Sequence, residues 1–204
     1  MELYSYLFKF VVLTCKLFDI DESHGLKHSM DVFYFSNKIY ESELLKNPNL
    51  IKYKNIIDTS AILHDMCDKK YLDEDKGIKR INDYMSDKIS DEELNVSIKI
   101  MKTMSYSKVK RDGFPNLNEY QFAYNIVREA DLLSSYDFDR CMIYQMLKNK
   151  DNYEKSFKDA TILFDKRVFR YIDDKLFTFD YSKNLALRLH MDAQKRILFL
   201  NKIF

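Results

Sequence analysis

Apolar residues return every three to four positions along most of the chain, and no segment longer than a few residues alternates strictly, so the pattern predicts helices and no sheet. The run Leu3 to Phe18 reads as a buried first helix, ended by the polar stretch Asp19-Ile-Asp-Glu-Ser-His-Gly25. A second helix starts near Leu26 or His28 and carries Val32, Phe35, Ile39 and Tyr40 until Asn47-Pro48 stops it. A third spans about Leu50 to Met66, with Ile56, Ile57, Ala61 and Leu63 apolar, Ser60 small enough for a close neighbour, and His64-Asp65 at its end.

Further on, Asp73 to Met85 reads as a short helix with Ile78 and Ile81 inward. Ser90-Asp-Glu-Glu93 supplies a capping box for a helix carrying Ile98 and Met101. Ser105 to Asn116 combines the third Gly with the second Pro and reads as a loop, the most basic in the chain. From Asn118 and Gln121 another helix runs through Phe122, Ile126 and Ala130-Asp131 toward Tyr136, and three more cover 138–149, 153–171 and 182–204. The expected fold is all-α: one compact bundle over residues 1–204, with 138–204 as its C-terminal helical part. Only 3 Gly and 2 Pro against 46% hydrophobic residues agree with long helices and few tight turns.

Charge narrows the partners. Lys and Arg number 33 against 32 acids, a net charge of +1, which gives no sustained attraction to long nucleic acid or to an anionic membrane. The first apolar run is interrupted by Lys9, followed by Lys16 and Asp19, and too short to span a bilayer. Three cysteines far apart, Cys15, Cys67 and Cys141, argue against a disulfide framework and for a reducing, cytoplasmic compartment.

Candidate chemistry concentrates on few residues. Of 4 histidines, His24 and His28 stand four apart and share a face if their segment is helical; otherwise they belong to a solvated loop. His64-Asp65 closes an apolar run. Asp131 is flanked by apolar residues in Ile126-Val-Arg-Glu-Ala-Asp-Leu-Leu133, where a carboxylate either reaches the surface or meets a cation. Together His28, His64, Asp65 and Asp131 offer two imidazole nitrogens and two hard oxygens, a set that suits Mn²⁺, Fe²⁺, Co²⁺ or Mg²⁺ with room for water and a phosphate oxygen. His190, in an amphipathic helix, reads as structural.

The ordered contexts Asp21-x-Ser-His-x-x-x-His28, Ala-Ile-Leu-His-Asp-x-x-Asp-Lys-Lys70 and Glu-Ala-Asp-Leu-Leu133 resemble the HD-domain metal-dependent phosphohydrolases, in particular the small bacterial-type members that hydrolyse nucleotides. Thr178 and Asn184-Leu-Ala-Leu-Arg188 resemble the C-terminal segment of the same subgroup. The resemblance implies one divalent ion held by His28, His64, Asp65 and Asp131, with Asp68 orienting or deprotonating the attacking water. It implies a small-molecule phosphate substrate, a nucleotide above all, met by Lys70, with Lys69 and Arg188 as further contacts. His24 is a candidate for touching the reacting water or a phosphate, and Lys108, Lys110 and Arg111 for closing over the phosphates. Two positions depart from the subgroup: Asp31 stands where it usually has Arg, and Met104-Ser105 where a further His is frequent. The alternative is a non-catalytic HD module that binds a nucleotide or a protein. A di-iron oxygenase needs more histidines than the chain holds.

Overall fold

A computed structural model of the chain describes residues 2–203. Its elements are α1 (Glu2–Phe18), α2 (Leu26–Leu44), α3 (Lys54–Leu63), α4 (Glu74–Met85), α5 (Asp91–Thr103), α6 (Tyr106–Asp112), α7 (Gln121–Ser134), α8 (Phe138–Lys148), α9 (Tyr153–Lys166) and α10 (Asp180–Asn201), with short 3-10 turns before α3, before α7 and after α9. Among the described residues there is no strand, and the fold is all-α. No helix among them is long and apolar enough to cross a membrane.

The centre is made by α2, α3 and α7. Helix α3 is buried at every position from Ile56 to Leu63, including the polar Asp58, Thr59 and Ser60, because neighbours cover it on all sides. It packs on α2, α5, α7 and α1, while α2 lies along α7. Two apolar clusters result. One joins Val32 and Ile39 of α2, Ile57 and Ala61 of α3, Val127 and Ala130 of α7, and residues of α8 to α10. The other joins Leu7 and Val11 of α1, Ile62 and Leu63 of α3, Ile81 and Met85 of α4, and Leu94 and Ile98 of α5. Helices α3 and α5 supply both.

Polar ties fix the arrangement. Asp58, 1% exposed, takes an ion pair from Lys54 and a 2.9 Å hydrogen bond from Tyr4 on α1. Ser90 caps α5 in the expected box with Glu93. Glu129 accepts from the backbone N–H of Thr178 at 2.7 Å and from its hydroxyl at 2.5 Å, which anchors the entry to α10 on the middle of α7.

The chain departs from the sequence reading at four places. Residues 48–53 are a 3-10 turn, and α3 ends at Leu63, so His64 is its C-cap and the next residues form a turn. The stretch read as a basic loop contains α6, a seven-residue helix held down by buried Val109 and ended by Gly113 at φ 78°. The helix expected over 153–171 stops at Lys166, because Arg167 leaves helical geometry at φ −129°. His24 lies in the turn before α2, so it and His28 do not share a helix face.

Candidate metal centre

Four side chains meet where the start of α2, the turn after α3 and the end of α7 come together. The apolar face of α2 continues back from Val32 to His28, leaving it 1% exposed, and the burial of α3 carries through to its cap, His64. Their Nε2 atoms stand 2.9 Å apart. Asp65 Oδ2 lies 3.3 Å from His28 Nε2 and 3.4 Å from His64 Nε2. Asp131 Oδ1 lies 3.5 and 3.7 Å from the same nitrogens. The ligand atoms of His28, His64 and Asp65 all lie within 4.8 Å of one another, and Asp131 stands outside that tightest triplet.

The outer nitrogens decide which way the inner ones face. His64 Nδ1 is 2.9 Å from the Ala61 carbonyl, which can only accept, so it carries the proton. His28 Nδ1 is 3.4 Å from Ser134 Oγ, whose own proton goes to the Asp131 carbonyl at 2.7 Å. Both Nε2 lone pairs therefore point into one space, flanked by two carboxylates. Such a set favours positive charge between its members, whether a proton on one imidazole or a bound cation. Bonds of about 2.1 Å to one ion place neighbouring ligand atoms about 3.0 Å apart in an octahedron and about 3.4 Å apart in a tetrahedron. The observed 2.9 to 3.7 Å fits that spacing, and the nitrogen and oxygen donors suit a first-row divalent ion or Mg²⁺.

Electrostatics agree. Burial disfavours a charged His64, but Asp65 beside it, then Asp131 and the Ala61 carbonyl, outweigh burial and raise its pKa to about 9. Burial works the other way on the acids and is again outweighed: His64 and His28 hold Asp65 well below the carboxylate range, and His28 and His64 bring Asp131 to about 2. The cluster attracts positive charge.

It forms part of the wall of a cavity of about 430 Å³ between the turn after α3, α6, α8 and the end of α9. Seven basic side chains line this cavity, Lys69, Lys70, Lys108, Arg111, Arg140, Lys148 and Arg167, against four acidic ones, Asp65, Asp68, Glu74 and Asp131. In a nearly neutral protein, cations outnumber acids around this hollow.

Of the residues singled out from the sequence, Asp68 lines the cavity from the turn, its Oδ1 accepting the Lys70 N–H at 2.9 Å. Lys69 and Lys70 are exposed at its mouth. His24 Nε2 is 3.0 Å from Lys70 Nζ, and its Nδ1 is 2.7 Å from Ser23 Oγ and 2.9 Å from Tyr71 Oη. Both of those hydroxyls donate to Asp21. His24 thus links Lys70, through Ser23 and Tyr71, to the half-buried Asp21. Lys108 lines the cavity but is paired with Glu74 at 2.7 Å, and Arg111, which also lines it, is paired with Asp112. Lys110 is exposed and lies outside the lining.

Arg188 does not reach the site. It is exposed on α10, and the chain places Arg140 and Arg167 in the cavity instead. His190 packs on Phe169 with ring centres 4.5 Å apart, away from the cavity. Asp31 pairs with Lys27 at 2.5 Å beside a separate hollow.

Arg140, Tyr144, Gln145 and Lys148 on α8, and Arg167 after α9, line the cavity although the sequence did not mark them. Their spacing on α8 is a polar stripe at helical period, which in a sequence looks the same as a face turned to water. No family model matches the chain, and no curated protein or solved structure matches it.

Proposed function

We propose that this chain is an HD-domain phosphohydrolase that uses one divalent ion to cleave a phosphoester or phosphoanhydride bond of a small molecule, a nucleotide above all. The observation that carries the reading is the convergence of His28, His64 and Asp65 at ligand spacing, with Asp131 3.5 Å from His28, on the wall of a hollow rich in lysine and arginine. A divalent ion bound by these four would acidify a water and neutralise phosphoryl oxygens.

The chain's own residues then have separable roles. The Asp68 carboxylate faces the cavity and is steadied by the Lys70 N–H, so it is placed to accept a proton from the attacking water. Lys70 meets a phosphoryl oxygen with an ammonium that His24 steadies at 3.0 Å. His24 has both nitrogens engaged and acts by positioning Lys70. Arg167 is set by a 2.9 Å hydrogen bond from its Nε to Tyr171 Oη and by the Tyr106 ring 4.7 Å from its guanidinium carbon. Its Nη atoms make no hydrogen bond with a described residue, leaving a preorganised fork for phosphate.

The test is a screen of nucleotides and phosphomonoesters with Mn²⁺, Mg²⁺, Co²⁺ or no metal, with Asp65→Ala as control. Metal-dependent turnover by the wild type and its loss in Asp65→Ala is the expected result. Equal turnover by the two proteins sinks the assignment, and nucleotide binding without turnover favours the non-catalytic module.

A further inference from the structure

We propose that the α8 side of the cavity is a nucleobase subsite in which Gln145 determines specificity. The proposal rests on the phosphohydrolase reading for the orientation of the substrate, but it concerns binding and is tested as binding.

On α8, Arg140, Cys141, Tyr144, Gln145 and Lys148 all line the cavity. They stand at positions i, i+1, i+4, i+5 and i+8, a single helix face. Phe138 and Met142 of the same helix join the apolar core. A face turned inward and kept polar needs an explanation that packing does not give.

Gln145 is the sharpest case. It is 4% exposed, and its Oε1 is buried without a hydrogen-bond partner among the described residues. A buried acceptor left so is unfavourable unless a ligand or a water meets it. Arg140 repeats the pattern on the donor side: Nη1 is held by the Ser23 carbonyl at 2.8 Å, while Nε is buried and unpartnered.

The surroundings indicate the chemical class. Leu163, Phe164 and Val168 give the cavity apolar surface beside α8, and Tyr144 adds an aromatic ring. Lys70 Nζ lies 5.6 Å from the centre of that ring, which joins this side to the proposed phosphate side. A carboxamide presents a donor and an acceptor side by side, the pattern that reads the edge of a nucleobase, and an aromatic ring offers a face to stack on.

The test uses two pairs of nucleotides that differ in one donor or acceptor, cytidine against uridine triphosphate and adenosine against inosine triphosphate, with inorganic pyrophosphate as a probe lacking a base. Calorimetric affinities are measured with Mn²⁺ in an Asp68→Asn background, which removes the proposed proton acceptor and keeps the metal ligands, for the parent and for its Gln145→Glu and Gln145→Leu variants. A glutamate only accepts, so Gln145→Glu is expected to shift the cytidine-to-uridine affinity ratio at least tenfold toward cytidine. Gln145→Leu is expected to weaken all four nucleotides at least tenfold and to leave pyrophosphate within twofold, which a merely structural role does not produce. Unchanged ratios and unchanged nucleotide affinities in both variants overturn the proposal and assign Oε1 to a bound water only. An equal loss for pyrophosphate and nucleotides overturns it as well. If the wild type hydrolyses none of these compounds while the ratio shift appears, the subsite stands and the hydrolase reading falls.

Discussion

His28 Nε2 and His64 Nε2 face each other at 2.9 Å with their outer nitrogens committed to oxygens. Two ring nitrogens held this close by the ends of two helices, beside two carboxylates, favour positive charge between them, supplied by a proton on His64 or by a metal ion. Divalent ion should therefore stabilise the fold through this pair. At a hundredfold excess over Kd, Mn²⁺ is expected to raise the wild-type Tm by roughly 5–10 °C, from about 2.7 kcal/mol of linkage. Asp65→Ala and His64→Ala should show no rise, and chelation should return the wild type to its starting Tm. Differential scanning fluorimetry with and without chelator checks this; an equal rise in all three proteins counts against the site.

Arg167 is held by Tyr171, which is fully buried, and by the face of Tyr106. Lysine keeps the charge at this position but loses both the fork and the stacking. Arg167→Lys is expected to lower kcat/KM about 100–1,000-fold, on the scale of losing one donor to the transition state, while the Mn²⁺-dependent Tm rise stays intact. Arg188→Lys, on the exposed face of α10, should leave both unchanged. Steady-state kinetics on the best substrate of the screen separates them, and an unaffected Arg167→Lys removes this arginine from the phosphate side.

How far the sequence carried can be read from the same residues. The helices were legible because apolar positions repeat at helical period from Leu7 to Leu200, and the box at Ser90 and Glu93 marked a start. His28, His64, Asp65 and Asp131 stood out because ionisable groups at the margins of apolar runs are costly unless paired. The end of α3 was misplaced since Met66 and Cys67 are apolar and buried in a turn as well as in a helix. Helix α6 was hidden because Gly113 and Pro115 mark a break, and one buried residue, Val109, is too little period to reveal a helix before it. Arg140, Gln145 and Arg167 gave no signal because a polar side chain facing a hollow and one facing water share the same pattern. Only the placement of α8 and α9 across the cavity from the turn at His64 distinguishes them.

Asp21 links acid stability to the turn that carries His24. Burial disfavours its charge, but the His24 imidazole 3.9 Å away and hydrogen bonds from Ser23 and Tyr71 outweigh burial and hold the carboxyl well below its usual range. A carboxyl depressed in the folded state adds stability above its unfolded value of about 3.9 and loses it as pH falls further. Asp21→Asn is thus expected to cost about 1–3 kcal/mol at pH 7, with the gap to wild type closing as pH falls through and below about 4. Urea denaturation of both proteins at pH 7, 5 and 3 checks the sign; a gap that widens on acidification contradicts it.

Gly77 sets how closely α4 approaches the turn that carries Asp65 and Asp68. A Cβ built on Gly77 would stand 2.8 Å from Cys67 Cα and 2.8 Å from Cys67 Cβ, and 3.0 Å from Leu72 Cδ1. Cys67 Cα is backbone and lies two residues after Asp65 and one before Asp68, so relief of the clash has to move either α4 or the turn itself. Moving α4 disturbs Ile81 and Met85, which are fully buried in the second apolar cluster; moving the turn displaces the carboxylates. Gly77→Ala is expected to destabilise the fold by about 1–3 kcal/mol, the range for overpacking a filled core, despite alanine's higher helix propensity. Because displacement of Asp65 by a fraction of an ångström weakens a ligand set spaced for one ion, the Mn²⁺-dependent Tm rise should shrink as well. Ile78→Val, one residue away on the same helix and packed on the same apolar cluster, is the control that removes a methyl without adding a Cβ against Cys67: it should lower Tm and keep the full metal response. If Gly77→Ala also keeps the full response, the strain is taken up by α4 and the turn holds its shape independently of that helix.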